Sequence, residues 1–352
     1  MFKPGAKPNA GVVPRALATA FAALVLAIAA SACGSSSDSG DSKPAASDGG
    51  GEPAKVSVRL DYFAGPEQAG FWMAKDLGLY DKAGIDVKVN EGQGSDTTAQ
   101  IVAAGKEVFG FVSGDALVRA NAQGGDLVMV SMPIQDPGFS VAVREDSGIT
   151  SIEQLEGKTY TDSAGSIALP LFKAVCAASD ADCGKIKVAT VPYQALIPGF
   201  LSGKLEAIEA NDYLEPLYAK SGPVRFLRFR DNGVPTLGWG IVVKRETLEK
   251  RRALVKSFVE ATMAGFDEAF ADPKAYYETV SSMVRKYTQD EETDVFAMKA
   301  FQRHTPNTEG KPEGWMAVED FQNSIDILTK YSGLKDAPDP SSLFTNDFVG
   351  GD

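Results

Sequence analysis

Histidine is almost absent from this sequence, with His304 as the single example among 352 residues. Cysteine is scarce as well, because Cys33, Cys176 and Cys183 are the three in the chain and no two have the close spacing of a metal-binding or redox pair. Structural zinc sites and redox motifs need such pairs or several histidines. The sequence therefore predicts no metal site and no bound cofactor.

Long runs of lysine and arginine are also missing, and the formal net charge is -12. Because a protein that binds nucleic acid needs a basic patch to neutralise phosphates, nucleic acid is not an expected partner. No segment resembles the phosphate-binding pattern GxxxxGK(S/T), which argues against ATP chemistry in this chain. What is present is an ordinary globular composition, 44% hydrophobic and 23% charged, at a length that favours two domains.

Residues 1–32 have the pattern of a bacterial export signal. Lys3, Lys7 and Arg15 form a positive start, and the apolar run ALATAFAALVLAIAA that follows is too short for an ordinary spanning helix. The sequence ASAC, which ends at Cys33, resembles the lipobox of bacterial lipoproteins. We therefore predict lipidation of Cys33 and a place on the extracytoplasmic face of the cell membrane, with plain signal cleavage and an unmodified cysteine as the alternative.

A polar segment separates the predicted anchor from the rest of the chain. Apart from proline, alanine is the only apolar residue type between Gly34 and Lys55, so this segment cannot bury enough surface to become ordered. We expect residues 33–55 to form a flexible tether that holds a monomeric domain near the membrane. In that oxidising compartment, a disulfide between Cys176 and Cys183 is favoured over two free thiols.

Short strand patterns alternate with helical patterns along the remaining sequence. VSVRLDY alternates apolar residues as a strand does, EQAGFWMAKDLGLYDKAG is typical of a helix, and IDVKV is typical of a second strand. Repeated units of this kind predict an α/β fold with doubly wound sheets flanked by helices. Two crossings, near residues 137–143 and 235–243, predict a two-segment hinge between lobe one (56–138 and 241–350) and lobe two (139–240).

Open α/β sheets bind ligands beyond the carboxyl ends of their strands, beside helix N-termini. In this sequence Asp61, Tyr62 and Phe63 follow the first strand pattern. Ser95 and Ser113 follow the next two, where Ser113 and either Ser95 or Asp96 are also candidate helix N-caps. The same rule selects further candidate ligand-binding positions, which are Gln135 at the first crossing and Ser163, Tyr193 and Asn211 in lobe two.

Several long stretches of the chain resemble the substrate-binding proteins of bacterial ABC importers. They include LDYFAGPEQAGFWMAKDLGLYDKAGIDVKV, FLSGKLEAIEANDYLEP and DNGVPTLGWGIVVKRETLEKRRALVKSFVEAT. The similarity runs from about Val56 to Val349 and is greatest with the group that binds the pyrimidine precursor of thiamine. The resemblance implies a two-lobed clamshell of the periplasmic-binding-protein type that closes on one small molecule and presents it to a membrane permease with a separate ATPase.

The resemblance also implies roles for particular residues. Asp61 and Tyr62 stand where pyrimidine-binding relatives carry Asp or Asn followed by Trp, so that a carboxylate accepts hydrogen bonds from an amino group and an aromatic ring covers the heterocycle. A helix cap and a core ring are their alternative roles. Gln68 replaces a frequent histidine. The other positions that the resemblance selects as ligand contacts are Gln135, Tyr213, Glu215 and Trp239, with a structural role at the hinge as the alternative for Gln135 and Trp239.

The class of ligand has competing interpretations. The glycines and serines of GQGSD and VSGD favour an anion, because backbone N–H groups at helix N-termini bind sulfonate, nitrate or phosphate. Asp96 and Asp115 stand beside those serines and would repel an anion, which favours a neutral or cationic ligand. We therefore expect a small planar heterocycle, foremost a thiamine-precursor pyrimidine; riboflavin or another aromatic compound is second, and a sulfonate or nitrate is third.

An enzymatic role is the remote alternative. Eukaryotic relatives of this fold make the thiamine pyrimidine from pyridoxal phosphate and a sacrificed histidine, and they use a cysteine-rich motif. This chain has His304 alone, in a polar segment, and no cysteine cluster. We therefore expect a binding protein and not an enzyme.

Overall fold

The computed structural model describes residues 53–163, 166–304 and 310–350. The predicted export signal, the predicted lipidation site Cys33 and the tether as far as residue 52 lie outside these ranges. Within the described ranges, no helix is both long and apolar enough to cross a membrane.

Strands and helices alternate through most of the described chain. The strands are β1 (Ala54–Arg59), β2 (Ile85–Asn90), β3 (Phe109–Ser113), β4 (Leu127–Ile134), β5 (Phe139–Arg144), β6 (Thr159–Ser163), β7 (Lys187–Val191), β8 (Ala207–Asn211), β9 (Val224–Arg228) and β10 (Trp239–Lys244). The α-helices are α1 (Ala69–Asp76), α2 (Leu79–Lys82), α3 (Ser95–Ala103), α4 (Gly114–Ala122), α5 (Ala168–Ala178), α6 (Tyr193–Leu201), α7 (Glu215–Tyr218), α8 (Arg245–Lys250), α9 (Arg252–Ala271), α10 (Pro273–Met283), α11 (Glu291–His304) and α12 (Val318–Ser332).

The strands form two five-stranded sheets of matching topology. The first has the order β2-β1-β3-β10-β4, and the second has the order β7-β6-β8-β5-β9. In each sheet the first three strands are parallel, and the strand that follows a crossing, β10 or β5, runs antiparallel to both of its neighbours. The predicted α/β fold with two sheets flanked by helices is confirmed.

The edge strand β4 is covered rather than open. All eight of its residues are buried, although β4 is the last strand of its sheet. The C-terminal segment lies along it, because Met129 N donates to Leu343 O at 2.8 Å and Thr345 N donates to Met129 O at 3.0 Å. An uncovered apolar edge strand would expose unpaired backbone groups, so this segment protects the first sheet.

Two chain segments connect the sheets. One follows β4 and ends at β5, and the other follows β9 and ends at β10. Gly138 in the first segment has a φ of +62°, and a Cβ atom there would lie 2.1 Å from Asp212 Oδ1, so only glycine fits. Arg230 in the second segment pairs with Asp136 in the first, with 2.8 Å between Nε and Oδ2. The ion pair ties the two connecting segments to each other.

Helices α11 and α12 follow β10 in the chain, yet they contact elements of both sheets. The ring of Phe301 on α11 lies 4.7 Å from the ring of Tyr213, which follows β8 of the second sheet. Ser324 on α12 donates to Asp115 Oδ1 on α4 of the first sheet at 2.5 Å, and α12 also packs on α5. The two helices therefore link the two sheets through these contacts.

Cys176 near the end of α5 and Cys183 form a disulfide, with their Cα atoms 5.7 Å apart. Cys176 is buried in the apolar core of the second sheet, beside Phe172 and Val175. Replacing both cysteines with alanine should lower the free energy of unfolding by about 2 kcal/mol, because a short cross-linked loop restricts the unfolded chain. Denaturant unfolding of the oxidised chain and the double variant checks this; an unchanged midpoint would contradict it.

Candidate functional site

A cleft of about 550 Å³ lies between the carboxyl ends of the two parallel strand sets. The strand-end positions predicted from the sequence account for much of its wall, because strands of both sheets end at the same opening. The predicted ligand-binding residues that line it are Asp61, Tyr62, Ser95, Ser113, Ser163, Tyr193, Asn211, Tyr213 and Trp239. Gln68, Gln135 and Glu215 do not line it.

Gln68 holds the carboxylate of Asp61 from behind. Its Oε1 accepts a hydrogen bond from the Gly65 backbone N–H at 2.8 Å, and its Nε2 donates to Asp61 Oδ1 at 2.6 Å. Because Gly65 fixes the orientation of the amide, Gln68 can only donate to Asp61. Gln68 is completely buried, so its predicted ligand contact is corrected to a positioning role.

Glu67 lines the cleft beside Asp61, although it was not predicted from the sequence as a ligand-binding residue. Burial raises the pKa of Asp61 to about 6, and the hydrogen bond from Gln68 opposes that rise. Burial, followed by the nearby charge of Asp61, raises the pKa of Glu67 to about 8. Two carboxyl groups with raised pKa values in a cleft form a pattern that is typical of ligand sites.

The glycines of GQGSD support the segment that carries Asp61. Gly92 N donates to Tyr62 O at 2.9 Å, and Gly94 N donates to Asp61 O at 2.6 Å. A Cβ atom at Gly92 would lie 1.9 Å from Leu60 O, so this close approach of two backbones requires glycine. The backbone N–H groups of Gly92 and Gly94, which the sequence offered to an anion, are therefore used within the protein.

The two serines at the helix starts have different roles. Ser113 is the N-cap of α4, as predicted, and its Oγ accepts from Ala116 N at 3.3 Å. The N-cap of α3 is Gly94 rather than Ser95 or Asp96, and Ser95 Oγ instead accepts a hydrogen bond from the Ser113 backbone N–H at 3.1 Å. Ser95 thus satisfies another backbone donor at the cleft wall.

Aromatic rings from both sheets face the cleft. Tyr62 lies edge-to-face with Tyr193 of α6 at a ring distance of 5.4 Å, and its hydroxyl accepts from Gln194 Nε2 at 3.0 Å. Deeper in the cleft, Tyr213 and Trp239 lie edge-to-face with ring centroids 6.4 Å apart. These side chains can enclose a flat ligand, and the contact of Tyr62 with Gln194 joins a residue that follows β1 of the first sheet to one on α6, which follows β7 of the second.

The comparisons with known proteins fit this geometry. Residues 65–276 match the family described as NMT1/THI5 like. The chain belongs to the NMT1/THI5-like family. A relative named 4-amino-5-hydroxymethyl-2-methylpyrimidine phosphate synthase, from Uromyces fabae, is 20% identical over 84% of this chain and 87% of that protein.

Solved structures share the fold of this NMT1/THI5-like chain. The alkanesulfonate-binding protein SsuA from Xanthomonas axonopodis pv. citri, bound to MOPS, has a TM-score of 0.66 at 16% identity and covers 84% of this chain and 100% of that chain. The periplasmic aliphatic sulphonate binding protein SsuA from Escherichia coli has a TM-score of 0.68 at 16% identity, covering 85% of this chain and 95% of that chain. The predicted periplasmic-binding-protein-like fold is confirmed.

In this NMT1/THI5-like protein, Glu209 of β8 lines the cleft, whereas Glu215, the predicted ligand contact, does not. Glu209 Oε2 accepts from the backbone N–H of Ser163 at 2.7 Å and from its hydroxyl at 3.0 Å, while Oε1 accepts from Ser166 Oγ at 2.7 Å. Glu215 is the first residue of α7, beyond the cleft. The sequence feature that could have indicated Glu209 is its position as an acidic residue inside the mostly buried strand AIEAN.

Gln135 lies at the hinge instead of the ligand cleft. Its Nε2 donates to Trp315 O at 2.8 Å, and the residue lines a separate cavity of about 140 Å³ with Arg230 and Thr236. Asn211 also serves the hinge, because its Nδ2 donates to Pro137 O at 2.8 Å, although it lines the cleft as well. The structure thus favours the hinge role that the sequence left open for Gln135.

The charge of the NMT1/THI5-like cleft is predominantly negative. Four carboxyl groups line it, namely Asp61, Glu67, Asp96 and Glu209. Among the described residues of the lining, Arg119 is the single lysine or arginine, and its Nη2 and Nε lie 2.7 and 3.0 Å from Asp96 Oδ1. Because Asp96 balances the charge of Arg119, the cleft offers an anion little attraction.

Proposed function

We propose that this protein is the extracytoplasmic substrate-binding protein of an ABC importer, and that its ligand is a small planar heterocycle carrying amino groups. The pyrimidine precursor of thiamine is the foremost candidate. The observation that carries this proposal is the cleft itself, which the carboxylate of Asp61 lines together with the aromatic rings of Tyr62, Tyr193 and Trp239.

The hydrogen-bonding groups of the cleft favour a ligand that donates. Asp61 Oδ1 is occupied by Gln68, which leaves the second oxygen available to an exocyclic amine or a ring N–H. The backbone donors of Gly92, Gly94 and Ser113 are already bonded within the protein. These three donors are therefore not available to a sulfonate or nitrate, which the carboxylates of the cleft also disfavour.

The comparisons support the transport role and the ligand class from two directions. The fold is shared with proteins whose names describe periplasmic sulphonate binding, and a fungal relative is named for the phosphate of an aminopyrimidine. A receptor of this kind works with a membrane permease and an ATPase, and it closes its lobes around the ligand. Anchoring through Cys33 and a monomeric state remain predictions from the sequence.

A thermal-shift panel tests the proposal. The panel contains 4-amino-5-hydroxymethyl-2-methylpyrimidine, riboflavin, taurine and nitrate, because a ligand that binds only the folded state raises the melting temperature by mass action. We expect the aminopyrimidine to give the largest rise. Stabilisation by taurine or nitrate without any by the aminopyrimidine would show that the ligand is an anion, and a rise with riboflavin alone would favour the flavin alternative.

Pyrimidine synthesis is the second candidate because of the name of the fungal relative. We propose binding without catalysis, since His304 is the only histidine in the sequence and the three cysteines form no cluster. Incubating the purified chain with pyridoxal phosphate and iron should yield no pyrimidine product by mass spectrometry. Detection of such a product would replace the receptor with an enzyme.

Glu209 and Glu215 provide a matched pair of variants from one stretch of sequence. Glu209→Gln should weaken ligand binding by about tenfold, because the charged oxygens also hold Ser163 and Ser166 at the cleft wall. Glu215→Gln should leave the affinity unchanged, since Glu215 lies outside the cleft. Isothermal titration calorimetry measures both affinities. A larger loss for Glu215→Gln would restore Glu215 as the predicted ligand contact.

A further inference from the structure

Asp61 and Glu67 share one part of the cleft, and no lysine or arginine of the described residues forms an ion pair with either. Gln68, the side chain that bonds Asp61, is neutral. Buried carboxylates ordinarily have a counter-ion, and this pair lacks one.

The groups that face Glu67 from the surrounding elements are also neutral or acidic. They are Asp61 after β1, Tyr193 on α6, Tyr213 after β8, Tyr276 on α10 and Asp294 on α11. The protein therefore surrounds Glu67 with hydroxyls and carboxyls from five elements and with the neutral amide of Gln68, whose hydrogen bond opposes the rise in the pKa of Glu67. None of them can neutralise the charge of an ionised Glu67.

Among the described residues of the lining, the rest of the cleft offers no unbalanced positive charge. Burial raises the pKa of Glu209, the hydrogen bonds from Ser166 and Ser163 oppose that rise, and Arg119 is balanced by Asp96. The rings of Tyr62, Tyr193 and Trp239 line the same space, and the faces of such rings attract cations. Carboxylates and rings thus favour the same kind of ligand.

We propose that the cleft selects a cationic heterocycle, whose positive charge supplies the counter-ion that Asp61 and Glu67 lack. The inference rests on the proposed function and adds to it a preference for amino heterocycles that are protonated near neutral pH over neutral ones. A protonated amine next to two carboxyl groups gains both Coulomb attraction and charge-assisted hydrogen bonds.

Binding of a cation should release the proton of Glu67. With a pKa of about 8, Glu67 holds its proton at pH 7 in the empty cleft, mainly because it is buried and secondly because Asp61 is charged. A bound cation favours ionised Glu67 and lowers its pKa, so the proton leaves to solvent as the ligand binds. Affinity for the cation should therefore increase with pH from about pH 5.5 to 8, by up to about tenfold per pH unit.

Two aminopyrimidines that differ in one group test the inference. The 5-aminomethyl compound carries a protonated amine at pH 7, and the 5-hydroxymethyl compound is its neutral counterpart. We expect the full-length chain, purified in mild detergent, to bind the aminomethyl compound at least about tenfold more tightly at pH 7. Calorimetry in buffers with different ionisation enthalpies should show release of up to about one proton with the aminomethyl compound alone.

Variants locate the effect. Glu67→Gln should reduce both the preference for the charged compound and the proton release, whereas Glu215→Gln, outside the cleft, should change neither. Equal or tighter binding of the hydroxymethyl compound would overturn the cation inference and leave the proposed function intact. Binding of neither compound would contradict the proposed function and this inference with it. Proton release that persists in Glu67→Gln would overturn the assignment to Glu67.

Discussion

Replacing Asp61 with asparagine is expected to weaken aminopyrimidine binding by about 100-fold, nearly as much as replacing it with alanine. The reason is the hydrogen bond that Gln68 donates to the carboxylate of Asp61. Gln68 can only donate to residue 61, because its own oxygen is occupied by Gly65 N–H. An asparagine there must turn its oxygen toward Gln68 and its NH₂ group toward the cleft, where the ligand also donates.

The asparagine variant separates ligand recognition from folding, since it keeps the shape of the side chain and removes a buried charge. Titration calorimetry of Asp61→Asn, Asp61→Ala and the wild type measures the affinities, and Asp86→Asn, at an exposed position of β2, is the matched control. Wild-type affinity in Asp61→Asn would reduce Asp61 to a structural residue. Loss of affinity in the control would point to a non-specific effect of charge.

The protein is expected to be less stable at pH 8.5 than at pH 5, with a melting temperature lower by about 5 °C or more. Asp294 illustrates the cause. It is completely buried on α11, and the Tyr287 hydroxyl lies 2.8 and 2.6 Å from its two oxygens. Burial raises its pKa to about 7, against the opposing effect of Tyr287.

Stability falls as the pH rises because the folded chain binds more protons than the unfolded chain in this range. In the folded state Asp294 keeps its proton up to about pH 7, whereas in the unfolded chain it loses the proton near 3.8. Folding is therefore favoured at low pH, and stability declines as the pH rises from about 4 through 7. Asp61, with a pKa of about 6, and Glu67, with a pKa of about 8, act in the same direction. Asp290 has a pKa of about 2, because Lys220 bonds it, and so does not titrate in this range.

Differential scanning calorimetry from pH 5 to 8.5 measures the decline. Asp294→Asn should reduce it, because the buried charge can no longer form, and the exposed Asp326→Asn on α12 should not. A wild-type melting temperature that rises over this range would contradict the expected decline. An Asp294→Asn variant whose melting temperature falls as much as that of the wild type would contradict the role of Asp294.

The backbone architecture and part of each side of the cleft could be predicted from the sequence. Apolar periodicity locates the strands, and the geometry of parallel sheets then places whatever follows each strand at the ligand edge. This rule selects Asp61, Ser113 and Ser163 from the sequence, and all three line the cleft. Tyr193, the first residue of α6, follows from the same rule.

Side-chain directions could not be predicted, because distant contacts determine them. Gln135 bonds Trp315, 180 residues further along the chain, so no local pattern could direct it toward the hinge. Gln68 is turned inward by Gly65 and Asp61 together. Glu67 follows Pro66 in a single 3-10 turn, where periodicity does not tell an exposed carboxyl from one in the cleft.

The most direct test of the central claim is calorimetric titration of the full-length chain with 4-amino-5-hydroxymethyl-2-methylpyrimidine. We predict saturable binding of one ligand per chain, with a dissociation constant below about 10 μM in the wild type and loss of measurable binding in Asp61→Ala. Absence of heat with the pyrimidine, together with saturable binding of an alkanesulfonate under the same conditions, would contradict the account.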